Sequence, residues 1–494
     1  MLRKIRIISA SLFFLFITLL FLDFTGTIHQ WLGWVAKIQL VPAILVVNTI
    51  VIVALVLLTL LFGRVYCSVI CPLGIFQDAI SNISGRRKGK KNRFSYSPAI
   101  SWLRYSFLGL FVIGLVAGIS IIVSLLDPYA TYGRIAANFF APLYRLGNNL
   151  LAFFAEKADS YAFYTTDVWI KSWITFGVAA LTLVIVFILA WQNGRTYCNT
   201  ICPVGTALGF LSKFSLFRIQ FKVDKCTNCK ACERACKASC IDTKTKHIDH
   251  SRCVTCFNCI EKCKFDGLNY SVSFHSKTKN ETEQNSDNIS RRNALSILGL
   301  LALGSTLKAQ QLHVDGGLAA IEDKKIPNRN TPVVPQGALG TKNIKQHCTA
   351  CQLCISACPN NVLRPSNKLS TLMQPEMSFE RGYCRPECVE CSHVCPTSAI
   401  REITTAEKSA TAIGTAVWIQ DNCVVNTDKI QCKKCSQACP TGAITLIENE
   451  PDSDLKIPVI DKSLCIGCGA CEYLCPARPF SAIYVEGNVR HHTV

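Results

Sequence analysis

The sequence predicts a multi-domain chain: a four-span α-helical bundle joined to two compact, cysteine-rich α+β units. Three observations carry this expectation. Long apolar stretches crowd the N-terminal part of the 494 residues, 29 cysteines recur at short fixed intervals, and polar segments separate the cysteine-rich regions. Half of the residues are hydrophobic, yet the length suits several units rather than one core. Cysteines spaced by two or three residues sit too close for a disulfide framework, whereas that spacing suits several thiolates on one metal centre.

The apolar stretches run over 5–24, 39–62, 102–125 and 171–192. Each is long enough to cross a bilayer, which takes about 20 residues. Arg3, Lys4 and Arg6 before the first could mark a secretory signal, but further spans follow and no small-residue cleavage site is evident. Arg64, Arg86, Arg87, Lys88, Lys90, Lys91 and Arg93 follow the second span, while the loop at 126–170 holds only Arg134, Arg145 and Lys157 against four acids. Excess Lys and Arg marks the cytoplasmic side, so both ends of the four-span unit, 1–215, are expected inside. Lys+Arg against Asp+Glu is 34 to 15 over 1–308 and 18 to 18 over 309–494. The basic excess thus belongs to the membrane half and excludes nucleic acid as its explanation.

Within that unit a segment repeats. Gly63-Arg64-Val65-Tyr66-Cys67-Ser68-Val69-Ile70-Cys71-Pro72-Leu73-Gly74 matches Gly194-Arg195-Thr196-Tyr197-Cys198-Asn199-Thr200-Ile201-Cys202-Pro203-Val204-Gly205, each after the second span of a helix pair. On a continuous helical turn Cys67 and Cys71 share a face, as do Cys198 and Cys202. If the repeats meet, four thiols converge, as ligands of an extra cluster or as redox dithiols.

Six further groups of four account for 24 cysteines. Cys226, Cys229, Cys232 and Cys236, then Cys253, Cys256, Cys259 and Cys263, lie in a unit over 216–275. Both have the bacterial ferredoxin spacing for [4Fe–4S] clusters, in which the fourth thiolate crosses to the other cluster. Cys263 therefore joins the first trio and Cys236 the second. Lys237 and Lys264 stand where that pattern has proline. The region 343–494 holds the other four groups: Cys348, Cys351, Cys354 and Cys358; Cys384, Cys388, Cys391 and Cys395; Cys423, Cys432, Cys435 and Cys439; Cys465, Cys468, Cys471 and Cys475. The second and third of these have stretched first gaps, a modest entropic cost that leaves ligation possible. A nested exchange, third group of the chain with sixth and fourth with fifth, is the favoured pairing; sequential exchange is the alternative. Zinc is the rival metal, but its sites rarely use doubled eight-cysteine spacing. Cys240 is left over and reads as a buried structural thiol.

Two linkers are expected, at 276–289 and 309–342, the first rich in polar residues and the second in prolines and glycines. Between them Ser290-Arg291-Arg292-Asn293-Ala294-Leu295 opens an apolar run, 290–308, that reads as a fifth span or a twin-arginine export signal. Either places 309–494 in the periplasm and leaves 216–289 in the cytoplasm; a peripheral helix would leave everything inside.

The doubled Gly-Arg-x-Tyr-Cys-x-x-x-Cys-Pro motif on four spans, followed by two cluster motifs, resembles the membrane polyferredoxins of the NapH and MauN type, with NosR and CcoG groups as further relatives. Residues 290–494, with four cluster motifs after a twin-arginine start, look like exported ferredoxins of the NapG and MauM type. The chain thus resembles a NapH–NapG fusion. That resemblance implies a multi-pass protein of the bacterial cytoplasmic membrane, holding about six [4Fe–4S] clusters and a seventh if the repeated thiols bind one. It implies quinol as the diffusible donor and a periplasmic reductase or c-type cytochrome as acceptor. Asp23, His29 and Asp127 are the titratable candidates for the accompanying protons. Rival expectations are an electron supplier for metalloenzyme maturation, fed by a cytoplasmic donor, and a wholly cytoplasmic anchored polyferredoxin. No hydrolytic triad, phosphate loop, nucleotide fingerprint or Cys-x-x-Cys-His haem motif is present.

Overall fold

The computed structural model describes residues 1–85, 94–160, 162–272, 322–448 and 455–494. The basic residues at 86–93, the linker at 276–289 and the twin-arginine run at 290–308 lie outside the described residues. A helical domain occupies the middle of the molecule, with one cysteine-rich module against each end.

Two helices, Leu2–Leu22 and Trp173–Asn193, are long and apolar enough to cross a membrane, and over three-quarters of the second one's apolar window is left uncovered by protein. The other two expected spans are each interrupted. The 39–62 stretch divides into Leu40–Leu45 and Thr49–Phe62, where Val47 takes a left-handed backbone and the Asn48 side chain accepts from Val51 N. The 102–125 stretch divides into Ser101–Val116 and Ser120–Leu126 around left-handed Gly118. Asparagine as an N-cap and glycine with positive φ each end a helix locally, which hydropathy does not register.

Both copies of the repeat depart from the expected continuous turn. Gly63 and Gly194 close their preceding helices with positive φ. Tyr66–Ile70 and Thr196–Thr200 then make one turn each, and Cys71 and Cys202 are extended before helices Pro72–Gly85 and Pro203–Ser212. Proline disfavours the α conformation in the residue before it and suits the first helical position, so the helix must break between the two cysteines of each pair.

The proximal module, beside the N-terminus of the first helix, is closed by antiparallel strands Phe217–Phe221 and Leu268–Val272, with Ile219 facing its core. Phe217 stacks on Phe62, and Leu216 N donates to Leu60 O at 2.7 Å, which fixes the module to the helical domain. The distal module contains three antiparallel pairs: Leu363–Pro365 with Pro375–Met377, Thr411–Trp418 with Ile483–Thr493, and Ile444–Glu448 with Lys456–Ile460. It rests on the opposite end, where Asn138 Nδ2 donates to Gln352 Oε1 at 2.9 Å and Ser172 Oγ meets Asn367 Oδ1 at 2.6 Å.

Residues 322–342, expected within a linker, are part of this module. Arg329 is buried, with Nη2 on Glu472 Oε1 at 2.5 Å and Nε on Val485 O at 2.7 Å, and Val333 and Val334 are in the core. A buried ion pair that also binds backbone satisfies both partners' desolvation, and proline content alone does not reveal it.

Candidate functional site: six cysteine groups and a thiol tetrad

In the proximal module, short helices Ala231–Ala235 and Asn258–Lys262 carry Cys232 and Cys259. Cys226, Cys229, Cys232 and Cys263 line one small cavity of about 20 Å³. Cys259 is within electrostatic reach of Cys253, Cys256 and Cys236. The fourth cysteine of each group thus crosses over, as the spacing requires.

In the distal module the exchange is sequential rather than nested. Cys348, Cys351 and Cys395 act on Cys354, and Cys384, Cys358 and Cys388 act on Cys391. Cys423, Cys432, Cys435 and Cys475 line a small cavity of about 20 Å³, while Cys465, Cys468 and Cys439 act on Cys471. Groups three and four share one apolar core and groups five and six another. Spacing carries no information about which cores form, so the nested pairing, third group with sixth and fourth with fifth, does not hold. The stretched first gap of group five is taken up by a helical turn, Val424–Thr427, that returns the chain to Cys432.

The four regular groups share a backbone signature. Residues two and four after the first cysteine are left-handed in each: Asn228 and Lys230, Thr255 and Phe257, Ala350 and Gln352, Gly467 and Gly469. Alternating handedness turns successive N–H groups inward and makes an anion-binding concavity. The stretched groups lack that alternation.

These groups fit [4Fe–4S] clusters. Burial, then neighbouring thiols, push Cys259, Cys354, Cys391 and Cys471 well above the usual thiol range. Four such groups cannot ionise together without a cationic centre, which metal binding supplies. Backbone amides already point at the sulfurs: Gly267 N to Cys263 at 3.2 Å, Ile400 N to Cys395 at 3.4 Å, Ala482 N to Cys475 at 3.3 Å. Among the described residues no His, Cys, Asp or Glu group converges on a single ion.

The repeated motifs bring Cys67, Cys71, Cys198 and Cys202 together as a buried tetrad, each within electrostatic reach of the others. Their arginines are exchanged. Arg64 Nη2 donates to Cys198 O at 3.2 Å, and Arg195 Nη1 donates to Cys67 O at 2.6 Å. Both guanidinium groups are fully buried and also approach a sulfur, Cys67 at 3.9 Å and Cys198 at 4.0 Å. Gly74 and Gly205 leave the room: a Cβ there would meet Arg195 Nη1 at 2.7 Å and Arg64 Nη2 at 2.8 Å. Gly205 N and Gln77 Nε2 also donate toward Cys202 and Cys198. Donors aimed at four buried thiols again fit a thiolate-bound cluster.

On the proximal side Asp78 ties the tetrad to the module. It receives Arg195 Nε and Arg6 Nη1 at 2.8 Å each and lies 3.5 Å from Lys237 Nζ. Burial would raise the Asp78 carboxyl, but Arg195, Lys237 and Arg6 hold it far below the usual carboxylate range. Lys237, where a proline was expected, is thus a docking residue, and its carbonyl receives Arg195 N at 2.9 Å. On the distal side Arg134 is within electrostatic reach of both Tyr197 of the second repeat and Cys351, and Tyr129 of Cys351 and Cys395.

Cys240 is more than a filler: its sulfur lies 3.5 Å from Cys236 and also bonds Cys253, two cysteines of the second site. Asp23 and Asp127 have structural bonds. Asp23 accepts from Thr25 N, Gly26 N and Ile28 N and faces His29 Nδ1 at 3.0 Å. Asp127 caps helix Pro128–Ile135 by accepting from Tyr129 N and Ala130 N.

Comparison with known proteins agrees with these sites. A 4Fe-4S binding domain model matches residues 44–91 and 173–222, the two repeats, and a 4Fe-4S dicluster domain model matches 430–478. An uncharacterised protein of Methanocaldococcus jannaschii is 34% identical over 22% of this chain and 42% of its own length. The putative electron transport protein YccM of Escherichia coli is 22% identical over 48% of this chain, and the match spans 61% of YccM. The methylamine utilization ferredoxin-type protein MauM of Methylobacillus flagellatus is 31% identical over 32% of this chain and 70% of MauM.

Proposed function

Because the chain belongs to the ferredoxin-type [4Fe–4S] electron-transfer proteins, we propose that it is a membrane-bound relay that oxidises quinol and delivers electrons to a periplasmic reductase or cytochrome. The observation that carries this reading is the position of the tetrad, buried in the helical domain between two modules that sit at its opposite ends. Each cluster, when bound, takes up and releases one electron. In this reading electrons visit, in order, Cys226, Cys229, Cys232 with Cys263; Cys253, Cys256, Cys259 with Cys236; the tetrad; Cys348, Cys351, Cys354 with Cys395; then Cys384, Cys388, Cys391 with Cys358. Cys384 acts on Cys468, which makes the site of Cys465, Cys468, Cys471 and Cys439 next in line.

One feature supports a bilayer around the helical domain. Exposed Leu12, Leu15, Ile50, Val53, Leu181 and Ile188 give it an apolar surface with no protein cover. With basic residues after Phe62, the proximal side reads as cytoplasmic.

A second reading, electron supply to a metalloenzyme under maturation, is favoured by Cys229, the one exposed cysteine, in the proximal module. A cytoplasmic donor docking there would enter at the first site. Anaerobic protein in lipid nanodiscs, mixed with a menaquinol analogue, separates the readings. Bleaching of the clusters by quinol supports the relay; reduction only by a ferredoxin or flavodoxin donor supports the alternative.

A further inference from the structure

Five cations are buried where the helical domain meets the proximal module: Arg6, Arg64, Arg104, Arg195 and Lys237. Among the described residues one carboxylate, Asp78, forms an ion pair with any of them, and it takes Arg6, Arg195 and Lys237. Arg64 and Arg104 bond to neutral groups instead. Arg64 Nη1 donates to Asn199 Oδ1 at 2.9 Å and to Ser251 O at 3.0 Å, and Arg104 Nη2 donates to the same carbonyl at 3.3 Å. Asp249, within electrostatic reach of Arg104, is already held by Arg252 Nε at 2.7 Å. Two guanidinium groups thus converge on one neutral oxygen, away from water, although their charges repel. A desolvated charge without a counter-ion is strongly unfavourable, so the arrangement calls for an anion that the side chains do not supply.

Arg64 shows where that anion belongs. Its Nη2 lies 3.9 Å from Cys67 Sγ and donates to Cys198 O at 3.2 Å, and its charge also reaches Cys198 and Cys253. It therefore stands between the tetrad and the second proximal site. Arg195 holds the equivalent place in the other repeat, 4.0 Å from Cys198 Sγ, but Asp78 neutralises it. The repeat is symmetric in sequence and asymmetric in charge. We propose that Arg64 is the positioning residue that sets the potential of the tetrad centre, keeping it reducible from the proximal module. The proposal rests on the reading above that the four thiols hold a [4Fe–4S] cluster. Four thiolates leave such a centre a net anion, and reduction adds one further negative charge. Burial alone opposes that added charge. A fixed cation a few ångströms away, unscreened by solvent, favours the reduced form more than the oxidised one and offsets the burial. The step it assists is a one-electron transfer: the second proximal site is oxidised, the tetrad centre is reduced, and no protein bond forms or breaks.

The test is an EPR-monitored redox titration of the full-length, cluster-loaded protein under anaerobic conditions, with iron counted in each sample. Arg64→Gln removes the charge and keeps an N–H donor. It is expected to disfavour reduction of the tetrad centre at least tenfold, a fall of about 59 mV for one electron. Arg64→Lys restores the charge and is expected to recover most of that shift, while the site of Cys226, Cys229, Cys232 and Cys263 titrates unchanged in both variants. Asn199→Asp leaves Arg64 in place and gives it the missing carboxylate, so it is expected to lower the same potential. That variant decides the matter if Arg64→Gln fails to load its clusters. Equal shifts in the Gln and Lys variants would mean that packing, not charge, is at work and would overturn the proposal. An unmoved tetrad signal in Arg64→Gln or in Asn199→Asp would overturn it as well and leave the relay standing. Unaltered protein with about 24 irons and no tetrad signal would remove the seventh centre itself.

Discussion

Replacing Asp78 by Asn removes the single anion from a buried knot of four side chains. Arg6, Arg195 and Lys237 would then face one another with side chains at most 7% exposed, so solvent screens them little. Breaking a buried charge pair from one side costs about 3–5 kcal/mol, because the partner stays desolvated without compensation. Three cations share this anion, so the upper part of that range is expected. The knot joins the first helix, both repeats and the proximal module, so the loss should fall on docking of that module. The assay is the denaturant midpoint of the cluster-loaded protein under anaerobic conditions, with exposed Asp421→Asn as control. Adding Lys237→Met to Asp78→Asn should recover part of the loss by removing one stranded cation. A shift no larger than the control's, about 0.5 kcal/mol or less, would refute the idea that this knot fastens the module.

Three further outcomes are expected. Cys395→Ala and Cys348→Ala should remove the same four irons, so that the double variant loses no more than either single one; under nested exchange Cys395→Ala would instead match Cys432→Ala. Cys240→Ala deletes a hydrogen bond to the second site's sulfurs, worth about 1 kcal/mol, and should lower that cluster's midpoint potential by about 40 mV in an EPR-monitored titration. Burial, with a minor contribution from His492, pushes His491 down to about 4. Folding therefore favours the neutral ring, so stability is full above about pH 6.5 and falls as pH drops toward 4. At pH 5 the cost is about 2 kcal/mol, and His491→Phe should flatten the dependence of the unfolding midpoint on pH.

Much of the site was legible because thiolate ligation leaves a rigid spacing in sequence. The two proximal pairings followed from spacing alone, since the fourth cysteine has one partner group to reach. With four groups in 343–494 that logic is degenerate, and the pairing is decided by which apolar side chains pack, such as Ile413 and Phe379 in one core and Val425 and Ile444 in the other. The repeat was visible, but the exchange of Arg64 and Arg195 between its copies is a tertiary contact that a one-dimensional pattern cannot contain. Lys237 looked like a lost proline because its role depends on Asp78, far away in sequence. Hydropathy found four apolar stretches and passed over the breaks at Asn48 and Gly118, since one capping residue hardly alters a window average.

Iron and acid-labile sulfide per chain, measured on anaerobically purified protein, bear most directly on whether the relay is continuous. Four irons at each of seven thiol sites give about 28 for the unaltered protein, and Cys67→Ala with Cys198→Ala should bring that to about 24 and interrupt electron passage between the modules. About 24 in both proteins, with passage intact, would contradict a seventh centre at the tetrad and with it the route through the helical domain.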